Sequence, residues 1–92
     1  MKQYFIGIDK RSKNVVIELF NYGASLMFNH HPIILELNKK FNFYDGEWML
    51  LTDVSMDDSH INTIRDFLES CDDLKYEIIF YKELKFEETG NK

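Results

Sequence analysis

The chain has 92 residues, of which 45% are hydrophobic and 29% are charged, and its formal net charge at pH 7 is −5. This length excludes two domains, and the hydrophobic content excludes a disordered chain. The excess of acidic residues argues against a binding site for nucleic acid, because phosphate binding needs a field of positive charge.

The first third of the chain predicts strands joined by turns. Short apolar runs predict strands at Tyr4–Ile8 and at residues 15–20, and the polar run between them predicts a hairpin turn. Gly23 and its polar neighbours predict a second turn, which leads to a third strand at residues 26–28. A helix that begins near Ala24 is the alternative for this last segment.

The middle of the chain predicts one helix and one strand. Pro32 suits the first turn of a helix, and apolar residues then recur at helical spacing until about Asn42. The turn signal Asp45-Gly46 precedes an apolar run that predicts a strand at residues 47–54.

The last third predicts a second helix and an edge strand. Ser55 and Asp58 fit the serine-x-x-acid pattern of a capping box, and the apolar stripe that follows predicts an amphipathic helix that ends near Asp73. Residues 75–82 predict a final strand at a sheet edge. The whole chain therefore predicts an α+β domain over residues 1–86, followed by a frayed tail at 87–92. Its elements follow the order β-β-β-α-β-α-β, in a mostly antiparallel sheet of about five strands with two helices on one face.

The cellular setting follows from cysteine use and hydropathy. Cys71 is the only cysteine, and a small secreted domain usually carries several. The N-terminus has too few apolar residues for a signal peptide, and no run approaches the ~20 that cross a bilayer. We therefore expect a soluble cytoplasmic protein with no membrane contact, present as a monomer or a weak dimer.

Acidic residues are concentrated in one segment. Residues 45–73 hold nine acids and one base, whereas residues 1–44 have a net charge of +3 and residues 74–92 are neutral. The same segment contains Trp48, the only tryptophan. We expect an outward acidic surface that steers a basic protein partner, with an aromatic anchor in it. The predicted partner-binding residues are Asp45, Glu47, Trp48, Asp53, Asp57, Asp58, Asp66 and Glu69. The alternative is that these charges serve solubility alone.

Other chemistries have weaker sequence support. Glycine-rich phosphate loops are absent, so no nucleotide cofactor is expected. The candidate metal ligands lack the spacing of a chelate, which predicts ordinary loop and capping histidines and no metal site; these ligands are His30, His31, His60 and Cys71. A small carboxylate-dependent hydrolase that uses Asp45, Asp53 and Asp57 is the alternative from the enzyme class.

Around residues 44–48 and 57–73 the chain resembles the small acidic immunity proteins that neutralise toxic nucleases, including those paired with contact-dependent growth-inhibition toxins. The resemblance covers the whole chain in size, charge and architecture, and it carries over no functional residue. It implies a non-enzymatic inhibitor that binds a cognate nuclease toxin domain, such as an RNase, without contacting nucleic acid itself. A phage-encoded mimic of nucleic acid that blocks a host defence nuclease is the other inhibitor hypothesis.

Overall fold

The computed structural model describes residues 3–10, 12–52 and 59–80, which form four strands and three helices. In chain order these are β1 (Tyr4–Ile8), α1 (Lys13–Asn21), β2 (Ala24–Leu26), α2 (Pro32–Phe41), β3 (Glu47–Leu51), α3 (Ser59–Glu69) and β4 (Tyr76–Phe80). The α+β class is confirmed, with four strands in place of about five. The predicted capping box at Ser55 and the predicted tail at 87–92 lie outside the described residues.

The sheet has the strand order β2-β3-β1-β4, and all neighbouring strands are antiparallel. Strands β1 and β2 therefore run in the same direction with β3 between them, and β3 and β4 run in the same direction with β1 between them. This is the strand order of two interleaved split β-α-β units, the ferredoxin-like arrangement, with α2 added between β2 and β3. The predicted edge position of the last strand, β4, is confirmed.

The prediction of a strand at residues 15–20 is wrong, because this run lies within helix α1. A chain that joins two strands of the same direction must cross over the sheet, and such a connection is usually a helix. Helix α1 buries Val15 and Leu19 and leaves Ile17 and Phe20 exposed. Apolar residues on several sides of the helix gave the run its strand-like composition.

Two other boundaries follow from local sequence. The turn predicted at Gly23 is confirmed, and its φ of +98° explains the glycine. The strand after it begins at Ala24, two residues earlier than predicted, and no helix starts there. Helix α2 begins at Pro32 as predicted and stops before Asn42, whose left-handed φ of 64° ends the helix.

Helices pack on both faces of the sheet. Helices α1 and α3 cover one face, whose buried residues are Ile6, Ile8, Val15, Leu19, Ala24, Met49, Leu51, Ile61, Ile64 and Leu68. Helix α2 covers the other face, where the buried residues are Phe5, Ile34, Leu37, Phe43 and Trp48. The two helices predicted from the sequence, α2 and α3, thus lie on opposite faces, which corrects their expected placement on one face.

The longest described helix, α3, has 11 residues. None of the helices in the described ranges combines the length and hydropathy that a membrane span requires.

Candidate functional site

The outer side of α3 carries the clearest acidic surface. Ile61, Ile64 and Leu68 face the sheet, so the exposed Asp66 and Glu69 lie on the side away from the core. Asp72 and Asp73 follow the helix and are exposed as well. The described residues 59–74 contain these four acids and one base, a formal net charge of −3. We call this the α3 acidic surface (Asp66, Glu69, Asp72 and Asp73).

A hydrogen bond fixes the position of Glu69 within this surface. The Tyr76 hydroxyl on β4 donates to a Glu69 carboxylate oxygen. This bond is the main reason that the pKa of Tyr76 is raised above its ordinary value, because it favours the neutral phenol; partial burial adds to the effect. Glu69 therefore lies above the β4 edge of the sheet, while Asp66 points to solvent.

A second group of acids lies at one end of the sheet. Exposed Asp45 lines a depression of about 270 Å³, whose walls are Asp9, Asn42, Phe43, Tyr44, Asp45, Gly46 and Lys75. The Asp9 backbone N–H donates to the Lys75 carbonyl oxygen at 3.1 Å, which joins the ends of β1 and β4 at this place. Two acidic residues and one lysine thus line the depression, together with Tyr44.

The charge at this end of the sheet is mixed. A neighbouring depression of about 340 Å³ contains Asp72 together with two lysines, Lys10 and Lys13. Lysines therefore partly offset the negative charge at the sheet end. They offset it least along α3. Among the described residues, acids form one strong surface on α3 and a weaker, mixed one beside it.

The predicted anchor Trp48 lies in the core, which corrects its assignment to a binding surface. Its side chain is 1% exposed, and its indole N–H donates to Asn38 Oδ1 on α2 at 2.8 Å. The ring lies directly over Gly7, where an added Cβ would come within 2.7–2.8 Å of three ring atoms. A partner cannot touch Trp48 in this conformation.

Tyr44, which directly precedes the acidic segment, is an exposed aromatic residue. Its side chain is 68% exposed, and it lies beside Asp45 in the turn before β3. The sequence places Tyr44 and Trp48 four residues apart in one aromatic stretch, and no periodicity there distinguishes the exposed ring from the buried one. The two rings differ in exposure because the backbone of β1 packs closely against the Trp48 ring at Gly7.

The described members of the predicted site fall in two places. Asp45 and Glu47 lie at the sheet end. Glu47 of β3 lies opposite Ile8 of β1, and Ile8 in turn lies opposite Tyr76 of β4. Glu47 therefore shares the sheet face that α3 covers. Asp66 and Glu69 lie on α3, and the structure does not bring them together with Asp45 in a single cluster. Asp53, Asp57 and Asp58 lie outside the described residues.

The expected capping role of His31 is confirmed, whereas His60 lies within helix α3. The His31 Nδ1 accepts the Ile33 backbone N–H at 3.2 Å and so caps helix α2. The His60 Nε2 donates to the Tyr22 carbonyl oxygen at 3.1 Å, which joins α3 to the end of α1. Among the described residues, no three histidine, cysteine or acidic side chains are placed to hold a metal ion.

Comparison of the chain with protein-family models, with curated proteins and with solved structures finds no match. The fold and its surfaces therefore provide the functional argument. They define an α+β protein with helices on both faces of an antiparallel sheet and an exposed acidic surface on α3.

Proposed function

We propose that the protein is a non-enzymatic inhibitor, a cytoplasmic immunity protein that binds a basic nuclease toxin domain through its α3 acidic surface. The observation that carries the proposal is the exposure of all four acids of this surface over a buried apolar stripe. Fixed carboxylates on a rigid helix steer a cationic protein toward that helix and raise its association rate. A nuclease must expose a cationic groove for its substrate, and carboxylates fit the positions that phosphates occupy there.

The sheet face that α2 covers favours a protein partner over a nucleic acid. Sheets that bind single-stranded RNA expose aromatic rings on one face, and the bases stack on these rings. Here the aromatic residues of β1 and β3 on the face that α2 covers, Phe5 and Trp48, are 3% and 1% exposed. The negative charge of α3, on the opposite face, would also repel phosphates.

Tyr44 and the depression beside it complete the proposed interface. Exposed tyrosines are frequent anchors of protein interfaces, because they bury a large area at a small cost in conformational entropy. A lysine or arginine of the partner would enter the depression beside Asp45, with the Tyr44 ring at its rim. The α3 acidic surface would then determine the association rate, and Tyr44 the lifetime of the complex.

The steering step is tested with a charge reversal and a matched control. The toxin domain encoded next to this gene is purified, and its association rate with Asp66→Lys is compared with that of Glu36→Lys, an exposed acid on α2. We expect Asp66→Lys to slow association by roughly tenfold at low salt and much less at 0.5 M salt, where screening is stronger. Glu36→Lys should stay near the wild-type rate. Equal effects of both variants, or rates that do not depend on salt, would contradict the proposal.

The inhibitory role itself is tested by titration. RNA cleavage by the same toxin domain should fall to zero at one equivalent of the protein. Tyr44→Ala should raise the dissociation constant at least about tenfold, whereas Phe28→Ala, which removes an aromatic side chain that is 83% exposed, should not. If the neighbouring gene encodes no basic partner, or if the protein leaves its activity unchanged, the proposed function is wrong.

A further inference from the structure

The edge strand β2 has backbone groups that its neighbour does not use. Within the described ranges, β2 pairs with β3 alone. The Met27 N–H donates to the Trp48 carbonyl oxygen at 3.0 Å. This bond identifies which residue pairs between β2 and β3 are hydrogen-bonded and which are not. In an antiparallel pair the bonded residues alternate, so Ser25 bonds Leu50, while the N–H and C=O groups of Ala24 and Leu26 point away from β3.

These outward groups are arranged symmetrically about Ser25. If a second copy approaches β2 in antiparallel orientation, Ala24 lies opposite Leu26 of the second copy, and Leu26 lies opposite its Ala24. Each pair exchanges two hydrogen bonds, so four bonds form around one two-fold axis. A two-fold interface needs a surface that is complementary to itself, and this edge meets that condition.

An exposed apolar side chain accompanies the open edge. Leu26 is 50% exposed, and its register partner Met49 lies in the core under α1 and α3, so Leu26 points to the α1 side of the sheet. Pairing along β2 would remove part of the Leu26 side chain from water.

Charge distinguishes this edge from the edge at β4. The described residues 12–41 carry three lysines and two glutamates, a net charge of +1, whereas residues 42–52 and 59–80 have a net charge of −5. A two-fold axis places each surface against itself, so the acidic half would repel its copy. Strand β4 contains Glu77 and lies beneath Glu69, which leaves β2 as the edge suited to self-association.

We propose that the protein forms a two-fold symmetric dimer by antiparallel pairing of β2 with β2 of a second copy, which joins two four-stranded sheets into one of eight strands. The contact includes the exposed Leu26 side chain of each copy. The α3 acidic surface stays outside this contact, so dimer formation and the binding of a basic partner are separate properties.

Cross-linking tests the register directly. Ser25 faces its own equivalent as a pair without mutual hydrogen bonds, whose Cα atoms lie about 4.5 Å apart, within the range of a disulfide. In a Cys71→Ser background, Ser25→Cys should oxidise to a covalent dimer. Ser70→Cys, at an exposed position after α3, should remain monomeric under the same conditions. Equal cross-linking of the two variants would overturn the proposed register.

The association itself is tested by sedimentation velocity of the full chain over a concentration series. The wild type should shift from 11.1 kDa toward twice that mass. Leu26→Pro removes an outward N–H and spares the β3 ladder, so it should raise the dimer dissociation constant at least about tenfold. Leu35→Lys, at a position on α2 that is 53% exposed, should leave it unchanged.

Leu26→Lys replaces the proline variant if circular dichroism shows that the latter fails to fold, and it should dissociate the dimer in the same way. A wild type that stays monomeric up to about 1 mM, or a folded Leu26 variant that still dimerises, would overturn the proposal.

Discussion

The two halves of the molecule share one sheet and differ in surface chemistry. The described residues 12–41, which form α1, β2 and α2, carry a net charge of +1 and expose five large hydrophobic side chains: Ile17, Phe20, Leu26, Phe28 and Leu35. Residues 42–52 and 59–80 carry a net charge of −5 and expose one, Tyr44. The proposed contact with a second copy and the proposed contact with a basic partner therefore use different elements, β2 in the first case and α3 in the second.

The acidic half also shows that composition does not separate core from surface. Trp48 and Tyr44 lie four residues apart, and one is 1% exposed while the other is 68% exposed.

The largest effect is expected at Trp48. Trp48→Ala removes a buried indole and leaves a cavity under α2, so the free energy of unfolding should fall by about 3–5 kcal/mol. Tyr44→Ala should change it by no more than about 0.5 kcal/mol, because the ring is exposed. Urea unfolding of both variants measures the difference. Similar losses in the two variants would contradict the assignment of Trp48 to the core and Tyr44 to the surface.

Gly7 should show the next largest effect. A Cβ at this position would lie 2.7–2.8 Å from the Trp48 ring, so Gly7→Ala must displace the indole and should cost about 1–3 kcal/mol. Ser25→Ala provides the control, since Ser25 is an exposed strand residue. Thermal unfolding of both variants, with tryptophan fluorescence as the probe, measures stability and indole environment together. An unchanged spectrum and melting temperature in Gly7→Ala would refute the close packing.

A smaller effect is expected at the cap of α2 in the apolar half. His31→Ala loses the acceptor for the Ile33 N–H and should lower the free energy of unfolding by about 1 kcal/mol. His30→Ala is the matched control, because this neighbouring histidine is exposed and lies outside the cap. The two variants are compared by denaturant titration at pH 8. Equal stabilities would show that the cap contributes nothing measurable.

The smallest effect is a pH dependence in the acidic half. The pKa of Tyr76 is raised in the folded protein, mainly by its hydrogen bond to Glu69, so folding favours the neutral phenol. This contribution to stability is complete below the ordinary tyrosine pKa of 10.0, and it is lost as the pH rises through the raised value. Unfolding midpoints measured from about pH 9 to about pH 11 should fall more steeply in the wild type than in Tyr76→Phe. Parallel slopes in the two proteins would refute the coupling, and Glu69→Gln should weaken it.

Local sequence was sufficient for the elements whose boundaries have local causes. Pro32 starts α2, Asn42 ends it, Gly23 permits the turn before β2, and the apolar stripe of α3 matches the side that the helix buries. The helix ends and the turn depend on the φ of one residue, and the stripe depends on apolar residues spaced three and four apart. Both are properties of residues that are close together in the chain.

The candidate site could be predicted only in part. Exposure of Asp66 and Glu69 follows from their positions opposite the α3 stripe. Assigning Trp48 to the surface was wrong because its environment is made by Gly7, Asn38 and Phe43, and one of these comes from a strand about 40 residues earlier. Separation of Asp45 from Asp66 likewise depends on how β3 and α3 are placed on the sheet.

The sequence by itself determined the fold class, the ends of α2 and the amphipathic character of α3, because short-range sterics and periodicity govern them. Tertiary structure alone decided that residues 15–20 form a helix, since the crossover from β1 to β2 outweighs the strand-like composition of that run. It also decided that Trp48 is buried while Tyr44 is exposed, and that β2 lies at an edge of the described sheet. Both depend on which strands lie side by side, and that order is set by packing among residues far apart in the chain.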